Sequence, residues 1–295
     1  MEKITKKKDG LTRSRFSPLT VALLVVLLLY VLIMCGMFFW AVITSLKSPN
    51  GYYNDPIGVP SAISLNYGFV FRNFKIMVSG ETHTMFNMVT NSLLYAVGCA
   101  FTKTLVTCVT AYLCARYSYK FSKVIYTVVI VSMIVPIVGS LPSELQMAHT
   151  LRLHNHIWGL WIMKMNFLGM YFLVFYEFFK AMPKSYTEAA EIDGASDMRI
   201  LTTIGLPLVK FTFFSVMLIY FIEYWNDYQI PLVFMPEHPT LAYGMFYLSG
   251  SGGGDLARTP YQMAMAIMVL VPILILFLCS HKRLLGNLNV GGIKG

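Results

Sequence analysis

Charged residues are scarce in this chain. They make up 13% of its 295 residues, where a soluble domain carries roughly a quarter. Hydrophobic residues make up 56%, and mean hydropathy is +0.61. So little charge cannot solvate the surface of a water-soluble domain, and an all-α polytopic membrane protein is expected. Cysteine is scarce as well. Cys35, Cys99, Cys108, Cys114 and Cys279 all sit in apolar runs without a CxxC pair. That excludes the usual thiolate metal and redox motifs and leaves small buried residues. No GxxxxGK[ST] phosphate loop occurs anywhere, nor any nucleophile–base or metal motif, so neither nucleotide hydrolysis nor covalent catalysis is expected of this chain. No internal repeat is visible, which gives inverted-repeat transporter folds no support.

What is abundant is apolar sequence in long runs. A basic head (1–18) precedes a first span, 19–46, which is too long for a signal-peptide core and lacks a small-residue cleavage site. A polar and aromatic connection, 47–87, contains Pro49, Pro56 and Pro60 and is too irregular to cross lipid. The core, 88–280, holds five more expected spans: Met88–Ala115, Val124–Leu141, Ile157–Phe179, Phe211–Phe234 and Met263–Cys279. Pro136 and Gly139 suggest a kink or early end in the second of these five, and Glu144–His156 reads as a polar connection. A short tail, 281–295, closes the chain.

The net charge of +9 is explained by its distribution. Sixteen of the 23 Lys and Arg fall in the head, the connection after Met88–Ala115, the stretch around 183–210 and the tail. Five fall on the other face and two within the membrane. The positive-inside rule then places both termini and the 183–207 segment in the cytoplasm. Nucleic acid is not needed to account for the charge.

The 183–207 segment is the longest polar stretch between apolar runs. Ser185 followed by Glu188 has the form of a capping box, Gly194 is placed to end that helix, and Ser196 with Asp197 starts another that Pro207 should limit. A bent helical pair between two spans has the form of a docking element. The alternative, an amphipathic helix lying on lipid, fits poorly because the polar face is acidic.

Glu188-Ala189-Ala190, three residues, Gly194-Ala195, then Ile204 and Leu206-Pro207 resemble the EAA loop of ABC importer permeases. Asn91-Ser92, Ala111-Tyr112, Trp225-Asn226-Asp227 and the terminal Gly291-Gly292-Ile293-Lys294-Gly295 extend a resemblance to the maltose-type carbohydrate permeases, in particular their shorter six-span partner. The likeness covers roughly residues 86–295. It implies that Glu188, Ala189, Ala190, Asp193, Gly194, Ala195, Leu206 and Pro207 couple to a separate ABC ATPase dimer, which binds the ATP and Mg²⁺. This chain is then expected to bind no cofactor of its own. The resemblance also implies a second permease subunit, an extracytoplasmic solute-binding protein, a carbohydrate substrate, and a tail in which Gly291, Gly292, Lys294 and Gly295 reach the ATPase. Leu248-Ser249-Gly250 faintly resembles an ABC ATPase signature but lacks its glutamine, and reads as a flexible linker.

The Phe211–Phe234 run is the most informative. Tyr220, Tyr224 and Tyr228 recur every four residues, and so do Glu223 and Asp227, with Trp225 and Asn226 between. Together with Asn91 they are the expected pathway residues, since aromatic faces and polar edges suit a sugar ring. A tyrosine stripe packed against neighbouring helices is the plainer alternative. Lys103 and Lys164 are also intramembrane. A rise of about 1.5 Å per residue puts Lys103 and Glu223 at depths of roughly 22 and 18 Å, and Lys164 and Asp227 at roughly 10 and 12 Å. Two pairs are therefore expected, Lys103–Glu223 and Lys164–Asp227, either neutralising one another or facing an acidic sugar. A proton- or ion-coupled transporter using Glu223 or Asp227 is the rival reading. His149, His154 and His156 match no metal-ligand spacing, and no metal is expected there.

Overall fold

The computed structural model describes residues 17–117, 119–135, 139–250 and 254–288, with 281–288 described through their backbone alone. The basic head and the Gly291–Gly295 tail contact lie outside these residues, as does Pro136.

Helix α1 (Pro18–Ser45) opens on a proline, whose missing N–H is harmless in a first turn. Its apolar window has mean hydropathy 3.0 and no residue buried within the chain. The exit of α1 is a polar knot. Lys47 is only 2% exposed and its Nζ donates to the Asp55 carbonyl at 2.6 Å, at the end of α2 (Pro49–Asn54). Asn66, opening α3 (Asn66–Asn73), donates to the carbonyls of Ser45 at 2.7 Å and Lys47 at 2.6 Å. The expected irregular connection thus contains two short helices and an antiparallel hairpin, β1 (Lys75–Val78) with β2 (Glu81–Thr84). Ser79 and Gly80 both take positive φ in its turn, the geometry that matches strand twist.

Helix α4 (Met85–Arg116) is the central column. Its buried face is rich in small residues, Ala96, Cys99, Ala100, Cys108 and Ala111, which let neighbours approach closely. A Cβ at Gly98 would lie 2.0 Å from Trp161 Nε1, which donates to the Leu94 carbonyl at 3.0 Å. Helix α5 (Lys120–Ile134) is shorter than the expected span. Helix α6 (Leu141–Thr150) occupies what hydropathy presented as a polar connection. The Ile157–Phe179 run is broken into α7 (Ile157–Met163) and α8 (Met170–Ala181), with Gly169 at φ +127 between them.

Helices α9 (Ser185–Ile192) and α10 (Asp197–Ile200) form the bent pair. A wide π turn, Leu201–Gly205, then runs directly into α11 (Leu206–Asn226). Helices α12 (Gln229–Phe234), α13 (Leu241–Ser249) and α14 (Thr259–Leu288) complete the order. Four helical segments, Pro18–Ser45, Met85–Arg116, Asp197–Asn226 and Thr259–Ser280, are long and apolar enough to cross a membrane. The other two expected spans coincide with α5 and with the broken α7–α8 pieces, which are not among these four. α4 packs against α11, α8 and α7, while α1 leans on α14 at the outside. The all-α polytopic architecture therefore stands, with a core centred on α4. Three of the cysteines, Cys99, Cys108 and Cys114, are buried and unpaired, and Cys35 and Cys279 are exposed on the outer helices.

Candidate translocation and coupling sites

Midway along the bundle an ammonium group sits among tyrosines. Lys103 Nζ lies 4.2 Å from the ring centroid of Tyr220 and 5.6 Å from that of Tyr224. Four-residue spacing on α11 puts both rings on one face. Tyr171, at the start of α8, meets Tyr220 edge-on at 5.1 Å, and Tyr95 of α4 meets Tyr224 at 5.6 Å. The Tyr95 hydroxyl donates to Asp227 Oδ2 at 3.0 Å. The quadrupole of each ring attracts the cation, an effect of about 1–2 kcal/mol in partly desolvated surroundings.

The expected charge pairs are not closed. Lys103 has no carboxylate oxygen within 4.0 Å among the described residues, and Glu223 is exposed. Lys164 lies 3.9 Å from Glu144 Oε2, not against Asp227. The reason is local. α11 stops at Asn226, so Asp227 is extended (φ −77°, ψ 120°) and no longer continues the helical stripe. Its Oδ1 accepts the N–H groups of Gln229 at 3.0 Å and Ile230 at 3.2 Å, fastening the first turn of α12. Depth along an ideal helix could not show this, because both partners of the Lys164–Asp227 pair sit at helix breaks.

The remaining pathway candidates scatter. Trp225 is buried and donates from Nε1 to the Val269 carbonyl at 3.0 Å, anchoring α11 on α14. Asn226 is exposed and donates back to Ile222 O. Tyr228 stacks on Phe246 at 4.6 Å, away from Tyr220. Asn91 donates to the Pro239 carbonyl at 3.1 Å, tying α4 to the loop before α13. Tyr220, Tyr224 and Asp227 are brought together, with Glu223 exposed beside them. Tyr95 and Tyr171 join the cluster without having been singled out. Tyr95, Cys99 and Lys103 do recur at four-residue spacing, a signal that could have found Tyr95, whereas Tyr171 carries none.

At one end of α4 stands the 183–207 segment. The capping box does not form: the residue preceding α9 is Lys184, and neither it nor Ser196 ahead of α10 makes a side-chain cap. The turn at Gly194 is closed through the backbone instead. Gly194 N–H donates to Glu191 O at 3.0 Å and Ala195 N–H to Ala190 O at 2.9 Å, with Gly194 at φ +77. This is the Schellman arrangement that ends a helix on a left-handed glycine. Glu188, Ala189 and Asp193 are exposed, and so are the apolar side chains of Ile192 (86%), Met198 (69%) and Tyr186 (52%). Pro207 does not end the second helix. The π turn ahead of it, in which Leu206 N–H reaches back to Leu201 O, lets the chain pass from α10 into α11 without a break.

His149 and His154 stack at 4.0 Å, and His154 Nε2 faces the Val233 carbonyl at 3.3 Å. No group of three or more potential metal ligands occurs among the described residues.

The chain is similar to known proteins over most of its length. The chain is 26% identical to the melibiose/raffinose/stachyose import permease protein MelC of Bacillus subtilis, covering 94% of this chain and 98% of the relative. It is also 26% identical to the trehalose/maltose transport system permease protein MalG of Thermococcus litoralis, over 88% of this chain and 91% of that one. Among solved structures, a bacterial ABC transporter involved in the import of the acidic polysaccharide alginate shares the fold. Its TM-score is 0.76 at 19% identity, over 90% of this chain and 95% of that one. These likenesses favour binding-protein-dependent import over the ion-coupled reading of Glu223 and Asp227. Residues 107–286 match the family described as binding-protein-dependent transport system inner membrane component, and the chain belongs to that family.

Proposed function

We propose that this chain forms one half of the permease of an ATP-driven carbohydrate importer. A second, similar permease subunit completes the pathway, a separate ATPase dimer supplies the energy, and an extracytoplasmic binding protein delivers an oligosaccharide. The observation that carries this reading is the Gly194 segment: a backbone-closed bend presenting Ile192 at 86% and Met198 at 69% exposure beside the acids Glu188, Glu191 and Asp193. Bare apolar side chains amid carboxylates suit a protein partner with an apolar groove and basic rim better than lipid. The positive-inside distribution supports a cytoplasmic position for this segment and both termini, where an ATPase would meet it. The sugar-permease relatives support a carbohydrate as cargo.

In this reading the tyrosine cluster is the stretch of pathway contributed by this subunit. Tyr220, Tyr224, Tyr95 and Tyr171 supply apolar faces for sugar C–H surfaces, and Lys103, Glu223 and Asp227 supply polar edges. ATP-driven closure of the partner moves the Gly194 segment and rocks α4 and α11, so that the cluster is exposed to each side in turn.

The test is purification of the tagged chain from its own membrane, followed by reconstitution. An ATPase and a second permease are expected to accompany it, and labelled oligosaccharide uptake to require ATP and the loaded binding protein. Uptake by the isolated chain driven by an ion gradient would overturn the reading. Titrating the binding protein with neutral and acidic oligosaccharides then identifies the cargo.

A further inference from the structure

Arg116 closes α4, and its charge is accounted for by topology alone. Its geometry asks for more. The guanidinium spans two successive pieces of the entering limb of the Gly194 segment. Nη1 donates to the carbonyl of Met182, the residue just after α8, at 3.2 Å. Nη2 donates to Thr187 Oγ1, in the first turn of α9, at 2.7 Å. The Thr187 hydroxyl spends its own proton on the Lys184 carbonyl at 2.9 Å, so its lone pairs are free to accept from the arginine. Met182 is buried, at 7% exposure.

The returning limb touches the same end of α4. Gly205, in the π turn, lies so close to Tyr112 that a Cβ there would stand 3.3 Å from the ring. Tyr112 in turn meets Phe179 of α8 edge-on at 5.1 Å. Tyr117, just beyond α4, meets Tyr112 edge-on at 6.4 Å and extends the aromatic contact at this end of the helix. Both limbs of the segment are therefore held by the last turns of one helix. That helix also carries Lys103 and Tyr95, with Lys103 roughly 20 Å up its axis at about 1.5 Å per residue. The covalent route, by contrast, runs through the Leu201–Gly205 π turn, a local departure from the i→i+4 ladder.

We propose that Arg116 is the clasp that passes movement of the Gly194 segment to α4, making it a positioning residue for coupling in addition to a topological anchor. The proposal rests on the importer reading above. Lysine cannot replace it, because a single ammonium on a flexible stem does not hold two acceptors in a fixed fork.

The experiment uses the full complex reconstituted with its ATPase, partner permease and binding protein, comparing wild type with Arg116→Lys, Arg116→Ala and Thr187→Val. The readout is substrate moved per ATP hydrolysed. For Arg116→Ala the ratio is expected to fall roughly tenfold, as suits the loss of charge-assisted bonds. Arg116→Lys should fall less and Thr187→Val about threefold, since that variant removes one of the two arms. In the double variant Arg116→Ala/Thr187→Val the ratio should match that of Arg116→Ala alone. An unchanged ratio in Arg116→Ala overturns the proposal, and so does loss of the ATPase from the purified variant, which would make Arg116 a brace for docking only. If Arg116→Ala does not accumulate, an unchanged ratio in Thr187→Val overturns it. Absence of an ATPase from the wild-type complex would instead defeat the importer reading itself.

Discussion

At the end of the bundle that carries Asn155 the loops are stitched to one another, whereas at the other end Arg116 clasps the base of the Gly194 segment and its tip is left bare. Asn155 takes φ +60 and donates its N–H to the Phe234 carbonyl at 2.7 Å. Its side chain donates to Glu237 Oε2 and accepts the Glu237 N–H at 3.1 Å. Leu241 N–H meets the buried Ser92 hydroxyl at 2.7 Å. Each of these groups finds its partner within this chain. The Gly194 bend closes its backbone bonds just as completely but leaves Ile192, Met198 and Tyr186 uncovered. One end is cross-linked loop to loop, although Leu151 (58%) is exposed there as well, and the other gathers Ile192, Met198 and Tyr186 on one short bend. An importer subunit that receives cargo at one end and force at the other would be built with that asymmetry.

The most severe way to break the comparison is to fill the bare end. At Gly194, φ is +77 and an added Cβ meets nothing within 4 Å. A side chain there costs about 1–2 kcal/mol of backbone strain, while its bulk projects onto the proposed docking surface. Gly194→Trp is expected to insert and accumulate normally yet lose more than about tenfold of its transport, more than 1.4 kcal/mol of coupling. Uptake at the wild-type rate in membrane vesicles would remove the reason for calling that end a docking surface.

Next in size is the junction between the two ends. Asp227 holds the Tyr95 hydroxyl and two N–H groups of α12. Asp227→Ala leaves three donors without their acceptor and should cost about 2 kcal/mol, seen as a lowered melting temperature of the purified protein. Asp227→Asn keeps one carbonyl oxygen for the backbone donors and should lose about half as much. Equal losses would mean that the negative charge, not the acceptor geometry, fastens the junction.

How much of this was readable beforehand follows the same division. The Gly194 bend, the bare acids around it and the long α4, α11 and α14 columns were legible, because a left-handed glycine and an uninterrupted apolar run each have one physical explanation. The breaks were not. Hydropathy scores the Ile157–Phe179 run as one span, although its backbone leaves the helix between Met163 and Met170. Nor does hydropathy show that Asp227 turns out of α11 to fasten α12. Such breaks survive at membrane depth where neighbouring groups satisfy the freed backbone, and those neighbours come from distant parts of the chain. Thr102 reaching the Trp161 carbonyl across helices at 3.3 Å is one. The capping box at Ser185 failed because α9 begins one residue earlier than it requires, with Lys184 as N-cap, and the Lys184 carbonyl is taken by Thr187, a hydroxyl that Arg116 also bonds. Pro207 misled because a π turn one residue earlier already supplies the change in pitch that a proline demands.

The finest distinction between the ends is one of backbone strain. Asn155 and Gly194 both occupy left-handed conformations, φ +60 and φ +77, but asparagine is there for its side chain and glycine for its lack of one. Asn155→Gly removes the link to Glu237 while relieving the strain, so the two effects offset and the net loss should be below about 1 kcal/mol. Asn155→Ala removes the link and keeps the strain, and should lose about 1 kcal/mol more than the glycine variant. At the other end Gly194→Ala adds the strain alone, with no link to lose, and should match that Ala–Gly difference in thermal melts. If Asn155→Gly proves as costly as Asn155→Ala, the side-chain link carries the whole effect, and the closed end is held by its hydrogen bonds irrespective of backbone conformation.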